Sequence, residues 1–212
     1  YIPSTTYSFK ITIFNKWHLQ RISQSTDGLG YGLYSLTEDG ENSDIYILDT
    51  GVRGASRPAD TAGANLHPEL YHPDYVSDFN GVDEQANYRV YEVPGYNSGI
   101  TLNGEANSNE DDDGHGTQCA ICAAGRTFGV SKKSRIFAMK VFNETGTEYT
   151  TFASRYINCM LAIANHNDST HANWKGNTRP AIVNASLGAI IPNRYWPYVY
   201  KNEPGFDSGA GE

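Results

Sequence analysis

The stretch Asp44-Ile45-Tyr46-Ile47-Leu48-Asp49-Thr50-Gly51-Val52 decides the fold. Its apolar centre, residues 45–48, is short and carries turn signals on both sides. That pattern suits a strand buried on both faces of a parallel sheet, not the strict alternation of a half-exposed strand. The run stops abruptly in a carboxylate, a hydroxyl and a glycine. In open α/β sheets the functional groups gather at the carboxyl ends of the strands, and Asp49 occupies such an end.

Downstream, Asp112-Asp113-Gly114-His115-Gly116-Thr117 sets a histidine between two glycines where a helix can start. Residues 119–125 continue as a small-residue helix closed by Gly125. Residues 134–141 form a second buried strand through Ile136, Phe137, Met139 and Val141, and Gly146 breaks it. Residues 149–166 place Phe152, Tyr156, Ile157, Met160, Leu161 and Ala164 at helical spacing. Residues 181–188 read as a third buried strand. Strand, helix, strand, helix, strand in that order predicts an α/β fold with a central parallel sheet.

The remaining segments are less regular. Residues 1–16 alternate weakly, as one strand would, and residues 17–25 look like a surface arm. Residues 27–40 have the Gly, Tyr and Ser content of a loop. Residues 53–109 are polar and rich in Gly, Pro, Asn and Tyr, an unusual length of non-helical chain within one domain. Tyr71, Tyr75, Phe79, Tyr88, Val90, Tyr91 and Val93 give this stretch apolar material to pack locally. Small strands or an ordered flap are expected there.

A chain of 212 residues holds one domain with a substantial core, or a large part of a bigger one. The formal charge of −8 argues against a nucleic-acid surface, which needs clustered Lys and Arg. No apolar run approaches the roughly 18 residues of a membrane span. Three cysteines, Cys119, Cys122 and Cys159, are too few for a disulfide framework. Their apolar surroundings predict buried free thiols and leave the compartment open. The sequon at Asn184-Ala185-Ser186 falls in the expected buried strand, so sequons carry little weight. The first residue, Tyr1, and the irregular end at residues 206–212 read as cuts, as in a processed product or fragment.

Asp49 and His115 supply an acid and a base in fixed order, two of the three groups of an activated nucleophile. Taken singly, Asp49 reads as a turn aspartate and His115 as a structural histidine. A rival reading places a metal on His115, Cys119 and Cys122, which share one helical face. It lacks a fourth ligand and a loop-like setting. The acidic run 110–113 has two readings, a solvated loop or oxygen ligands for calcium.

Together the motifs are similar to those of the subtilases, the subtilisin-like serine proteases. Residues 45–52 resemble the aspartate motif, and Asp113-Gly114-His115-Gly116-Thr117-Gln118-Cys119-Ala120 the histidine motif. Residues 128–141 continue as in the proteinase K branch, and Val183-Asn184-Ala185-Ser186-Leu187-Gly188 resembles the substrate-binding strand. Residues 17–23 resemble the start of a mature catalytic domain, so the match runs from about residue 17 to 189, interrupted by an insertion at about 53–109. Residues 1–16 then form an amino-terminal extension or propeptide remnant, and residues 17–212 the amino-terminal part of the catalytic domain.

The resemblance implies an incomplete three-layer subtilisin-like fold and a serine endopeptidase with an Asp-His-Ser triad. Asp49 is then the orienting acid and His115 the general base. Ser186, Leu187 and Gly188 pair with an extended peptide or protein substrate, and Gly146 and Thr147 form the opposite wall of the cleft. Gly146-Thr147-Glu148 lacks the second glycine usual there, and Gln118 stands where many relatives have histidine. No cofactor is required; subtilases often carry calcium, but no ligand set transfers to this chain.

The nucleophile belongs in a Gly-Thr-Ser-Met-Ala-like segment beyond the substrate strand, and this chain shows none. Asp207-Ser208-Gly209 resembles the serine motif of chymotrypsin-like proteases, but nothing else here fits those β-barrel proteins. A companion carboxy-terminal segment carrying the serine is therefore expected, covering an otherwise unpaired sheet edge. The resemblance leans towards a secreted, extracellular setting. The competing reading is an inactive subtilase-like scaffold that binds partners through its insertion.

Overall fold

Strand β1 (Asp44–Asp49) is buried along its whole length, as its apolar centre predicts. The computed structural model describes residues 18–19, 22, 38–55, 67–71, 88–102, 105–145, 148–150, 153–170 and 177–188. After β1 come β2 (Val90–Glu92), the short pair β3 (Thr101–Leu102) and β4 (Glu105–Ala106), and helix α1 (His115–Ala124). Strand β5 (Arg135–Lys140), the hairpin of β6 (Asn143–Thr145) and β7 (Glu148–Thr150), helix α2 (Ala153–Asn167) and β8 (Ala181–Asn184) complete the described elements.

The central sheet has the order β2-β5-β1-β8, and every pairing in it is parallel. Its layers follow from the two-residue period of a strand. Ile45 and Ile47 of β1 and Ile136 and Ala138 of β5 face Ala120 and Ala124 of α1. The alternate residues, Tyr46, Leu48, Phe137 and Met139, face Cys159 and Ile163 of α2. Tyr46 stacks on Phe137 with ring centroids 4.9 Å apart. Alanines on α1 bring that helix close to the sheet, whereas aromatic rings fill the space beneath α2. Helix, sheet and helix make the three layers, and Asp49 and Lys140 lie side by side at the carboxyl edge.

Several expectations need correction. Strand β8 is not buried: Ile182 is 57% exposed and Val183 38%. Among the described residues it pairs only with β1, so its side chains have no second neighbour. The cysteines also divide: Cys159 is buried, Cys119 is half-buried and Cys122 is exposed. Ala120 and Ala124 take the sheet-facing positions of α1, which turns Cys122 outward. Tyr149 belongs to the β6–β7 hairpin, and α2 starts only at Ala153.

The small strands expected in the 53–109 stretch are present as β2, β3 and β4, but its described apolar residues do not pack only locally. Leu70, Tyr88 and Val90 join the core under α1, and Tyr91 and Val93 join the core under α2. Arg89, fully buried, staples this segment by donating to Ser134 O at 2.9 Å and Ala124 O at 2.5 Å. The surface arm at residues 17–25 is likewise partly internal, since Leu19 is fully buried. His18 Nε2 lies 3.1 Å from Phe128 O. Residues 1–16, Gly146, Thr147 and Ser208 lie outside the described residues. No described helix is long and apolar enough to cross a membrane.

Candidate active site

Asp49 closes β1 at the carboxyl edge of the sheet, and its side chain is 1% exposed. His115 opens α1, and its side chain is 52% exposed. Their contact is a 2.7 Å bond from His115 Nδ1 to Asp49 Oδ1. A carboxylate only accepts, so Nδ1 carries the proton and Nε2 presents a lone pair to solvent. Asp49 Oδ1 also accepts from Thr50 N at 2.7 Å, which fixes the carboxylate plane. Asp49 Oδ2 is buried and has no hydrogen-bond partner among the described residues.

The pair raises the His115 pKa above 6.5, first through the Asp49 hydrogen bond and then through its charge. Partial desolvation opposes this, and Asp113 and Asp111 add to the rise. The result is an imidazole oriented by a buried anion with its reactive nitrogen accessible. Chemically such an arrangement can act as a general base, because its cationic form is stabilised as it takes up a proton.

The backbone around the pair is built for close approach. Gly114 caps α1 with φ 107°, a left-handed conformation that favours glycine. At Gly116, a Cβ would lie 2.1 Å from Gly51 O and 3.0 Å from Asp49 Cβ. Glycine there lets the first turn of α1 press against the end of β1, which brings the imidazole within reach of Asp49.

In the acidic run 110–113 the carboxylates serve different donors. Glu110 accepts from Gly54 N at 2.9 Å. Asp111 Oδ1 accepts from Gly114 N at 2.9 Å and Thr50 Oγ1 at 2.8 Å. Asp111 Oδ2 accepts from Thr117 N at 2.9 Å and from the Thr117 hydroxyl. Asp112 Oδ1 pairs with Lys140 Nζ at 2.5 Å, and Asp113 Oδ1 accepts from His115 N at 3.0 Å. Burial works against the charged form of Asp111, but bonds from Thr117, Gly114 and Thr50 prevail and hold its pKa below 3.8. Gly116 N donates to Thr50 Oγ1 at 2.9 Å, so the orphan donors at the start of α1 are met by β1 and by this loop.

Asp111 and Lys140 are therefore positioning residues that the sequence reading missed. The Asp111–Thr117 relation was available as a helix-start signal, an aspartate ahead of Gly-His-Gly-Thr. The Lys140 contact was not, because it joins segments 28 residues apart.

Cys119 lies one turn below His115, with Sγ 3.9 Å from Nδ1. Burial pushes its thiol pKa up, and the Ser186 hydroxyl beside it works the other way. That contact brings the segment after β8 next to the Asp49–His115 pair. Ser186, Leu187 and Gly188 are all exposed there. The rival grouping of His115, Cys119 and Cys122 is not what converges: Asp49, His115 and Cys119 lie within 4.8 Å of one another, and Cys122 is not part of that group.

Comparison with known proteins identifies the family. The model of the Subtilase family matches residues 40–210. A cuticle-degrading serine protease of Arthrobotrys oligospora is 27% identical, over 88% of this chain and 38% of its own length. Proteinase R of Parengyodontium album is 32% identical over 65% of this chain and 26% of that protein. Subtilisin-like protease 9 of Arthroderma otae is 31% identical over 81% of this chain and 32% of that protein. The crystal structure of a cold adapted subtilisin-like serine proteinase shares the fold, with TM-score 0.53 and 23% identity over 87% of this chain and 50% of that one. The chain thus spans from about a quarter to about two fifths of the length of these curated relatives.

Proposed function

Since the chain belongs to the subtilase family, we propose that it supplies the acid and base of a serine endopeptidase that hydrolyses peptide bonds. The observation that carries the reading is the 2.7 Å bond between a buried Asp49 and a half-exposed His115. Asp49 holds the Nδ1–H tautomer, which leaves Nε2 to accept a proton from a serine hydroxyl. That serine lies in a downstream segment paired with this chain. As its oxygen attacks the scissile carbonyl, the proton passes to His115 Nε2, and the imidazolium returns it to the leaving amine. Water then attacks the acyl-enzyme by the same route and regenerates the serine.

The substrate is an extended peptide or protein strand laid along Ser186, Leu187 and Gly188. Support comes from their exposure beyond β8 and from the Ser186–Cys119 contact beside the pair. Gly146 and Thr147 are assigned to the opposite wall on kinship alone. The exposed apolar side chains of β8 support a companion segment on that edge. An extracellular setting also rests on kinship.

The test uses the full-length protein and a fluorophosphonate probe. Labelling of a serine outside residues 1–212, abolished together with peptidase activity by His115→Ala, is the expected result. Absence of labelling, or full activity in His115→Ala, would overturn the proposal in favour of an inactive scaffold.

A further inference from the structure

On the α2 side of the sheet, the layer opposite the helix that bears His115, a cleft of about 470 Å3 opens between the turn after β2 and α2. Tyr96 and Leu161 give it apolar surface, and Asn97, Asn158, Asn165 and His166 give it polar groups. Among its described lining residues there is no Lys, Arg, Asp or Glu. Its volume lies within the about 300–1,000 Å3 usual for small-ligand sites.

The protonation of His166 follows from a chain of bonds that begins at a charge. Arg135, which only donates, gives Nη2 to Asn177 Oδ1 at 2.9 Å, so the Asn177 amide cannot be reversed. Asn177 Nδ2 then donates to Asn167 Oδ1 at 2.7 Å, which fixes the Asn167 amide in turn. Asn167 Nδ2 donates to Tyr46 Oη at 3.0 Å. The Tyr46 hydroxyl proton is left for His166 Nδ1, 2.7 Å away. His166 Nδ1 is thus the acceptor, and Nε2 carries the proton. Burial holds the His166 pKa below 6.5, which keeps the ring neutral.

His166 is 4% exposed, and its Nε2–H has no acceptor among the described residues. The Tyr96 hydroxyl is turned into the core, donating to Lys140 O at 2.9 Å and accepting from Cys159 Sγ at 2.8 Å. The cleft therefore offers one fixed donor, carboxamides that both donate and accept, and an uncharged apolar wall.

We propose that this cleft binds an uncharged saccharide unit, either a free oligosaccharide or a glycan on a protein substrate. Carboxamides match hydroxyls, which also donate and accept, while the apolar wall takes the C–H face of a sugar ring. The uncharged character of the described lining residues disfavours ionic ligands. The site stands apart from the Asp49–His115 pair, so it does not depend on the peptidase reading.

Saturation-transfer NMR on the intact protein carrying His115→Ala separates binding from cleavage. Cellobiose, maltose and diacetylchitobiose are the free probes; a glycoprotein and its deglycosylated form are the attached ones. Transfer to a free disaccharide, or to the glycoprotein but not its deglycosylated form, supports the proposal and identifies the source. Asn165→Ala, on the half-buried flank of α2, should weaken that binding about tenfold, as loss of one hydrogen bond does. Tyr46→Phe should weaken it comparably by releasing the His166 tautomer. Transfer to none of these probes, or binding that Asn165→Ala leaves unchanged, would overturn it.

Discussion

Replacing Lys140 by methionine tests how the active-site loop is held. Lys140 ends β5 beside Asp49 in the parallel register. Its side chain is 0% exposed, and that of its partner Asp112 is 14% exposed. The ammonium donates to Asp112 at 2.5 Å and also to Thr50 O. Methionine matches the stem closely, so the cavity contribution is small. What is lost is one charge-assisted bond of about 1.5–3 kcal/mol and one bond to a neutral carbonyl of about 0.5–1.5 kcal/mol. Breaking a buried pair from one side costs about 3–5 kcal/mol. Asp112 keeps some hydration, which places Lys140→Met near the lower limit, about 3 kcal/mol. Asp112→Asn leaves an amide oxygen for the ammonium and should cost about 1–2 kcal/mol. The double variant should cost less than the sum, with about 1–2 kcal/mol of coupling. Urea midpoints of the four full-length proteins, compared at equal m-values, measure this. A Lys140→Met cost below about 1 kcal/mol, or additivity within about 0.5 kcal/mol, would show that the pair does not hold the loop.

Other consequences follow from the same geometry. Asp49→Asn removes the main cause of the raised His115 pKa, which should fall towards 6.5 or below in an NMR titration of the ring protons. Because the folded value is raised, its stabilisation is complete below about 6.5 and is lost as pH rises through the folded value. Asp49→Asn should flatten that part of the stability–pH curve, and an unchanged curve would count against the assignment. Gly116→Ala drives a Cβ to 2.1 Å from Gly51 O; the resulting shift of His115 should lower kcat/KM about 100-fold, as steady-state assay of a peptide substrate would show. Tyr46→Phe strands His166 Nδ1 in the core under α2, while Asn167 Nδ2 keeps its bond to Ile163 O, and should cost about 1–3 kcal/mol in chemical denaturation.

The sequence made the central layers legible because strand and helix periods are local. The run 45–48 is apolar at every position, and only a strand covered on both faces uses every position. Glycines on either side of His115 marked a helix start, and the structure puts φ 107° and a near-contact with Gly51 at those two glycines. The burial of β8 was misjudged for a physical reason. Ala181, Ile182 and Val183 have strand composition, but composition does not reveal whether a strand has a neighbour on its second edge. The separate partners of the acidic run were hidden for a related one: four adjacent carboxylates look alike in sequence, yet they reach Gly54, Lys140 and the first turn of α1 at His115 N and Thr117.

That division of the acidic run carries a mechanistic consequence. In its proposed role as general base His115 must keep its ring aimed while its charge changes, and that charge appears at the start of a helix, where the macrodipole disfavours a cation. Asp111 and Asp113 offset that field from within the loop, and both contribute to the raised His115 pKa. Asp111 is itself anchored by Thr50 and Thr117, so the groups that tune His115 also join β1 to α1. Orientation and basicity therefore share one network: a substitution that loosens Asp111 should shift the titration of His115 and its position together, whereas one confined to Asp113 should move the titration alone. An NMR titration of His115 in Asp111→Asn and Asp113→Asn, set beside amide exchange at the first turn of α1, separates the two. Equal exchange protection in both variants would break the link between anchoring and tuning.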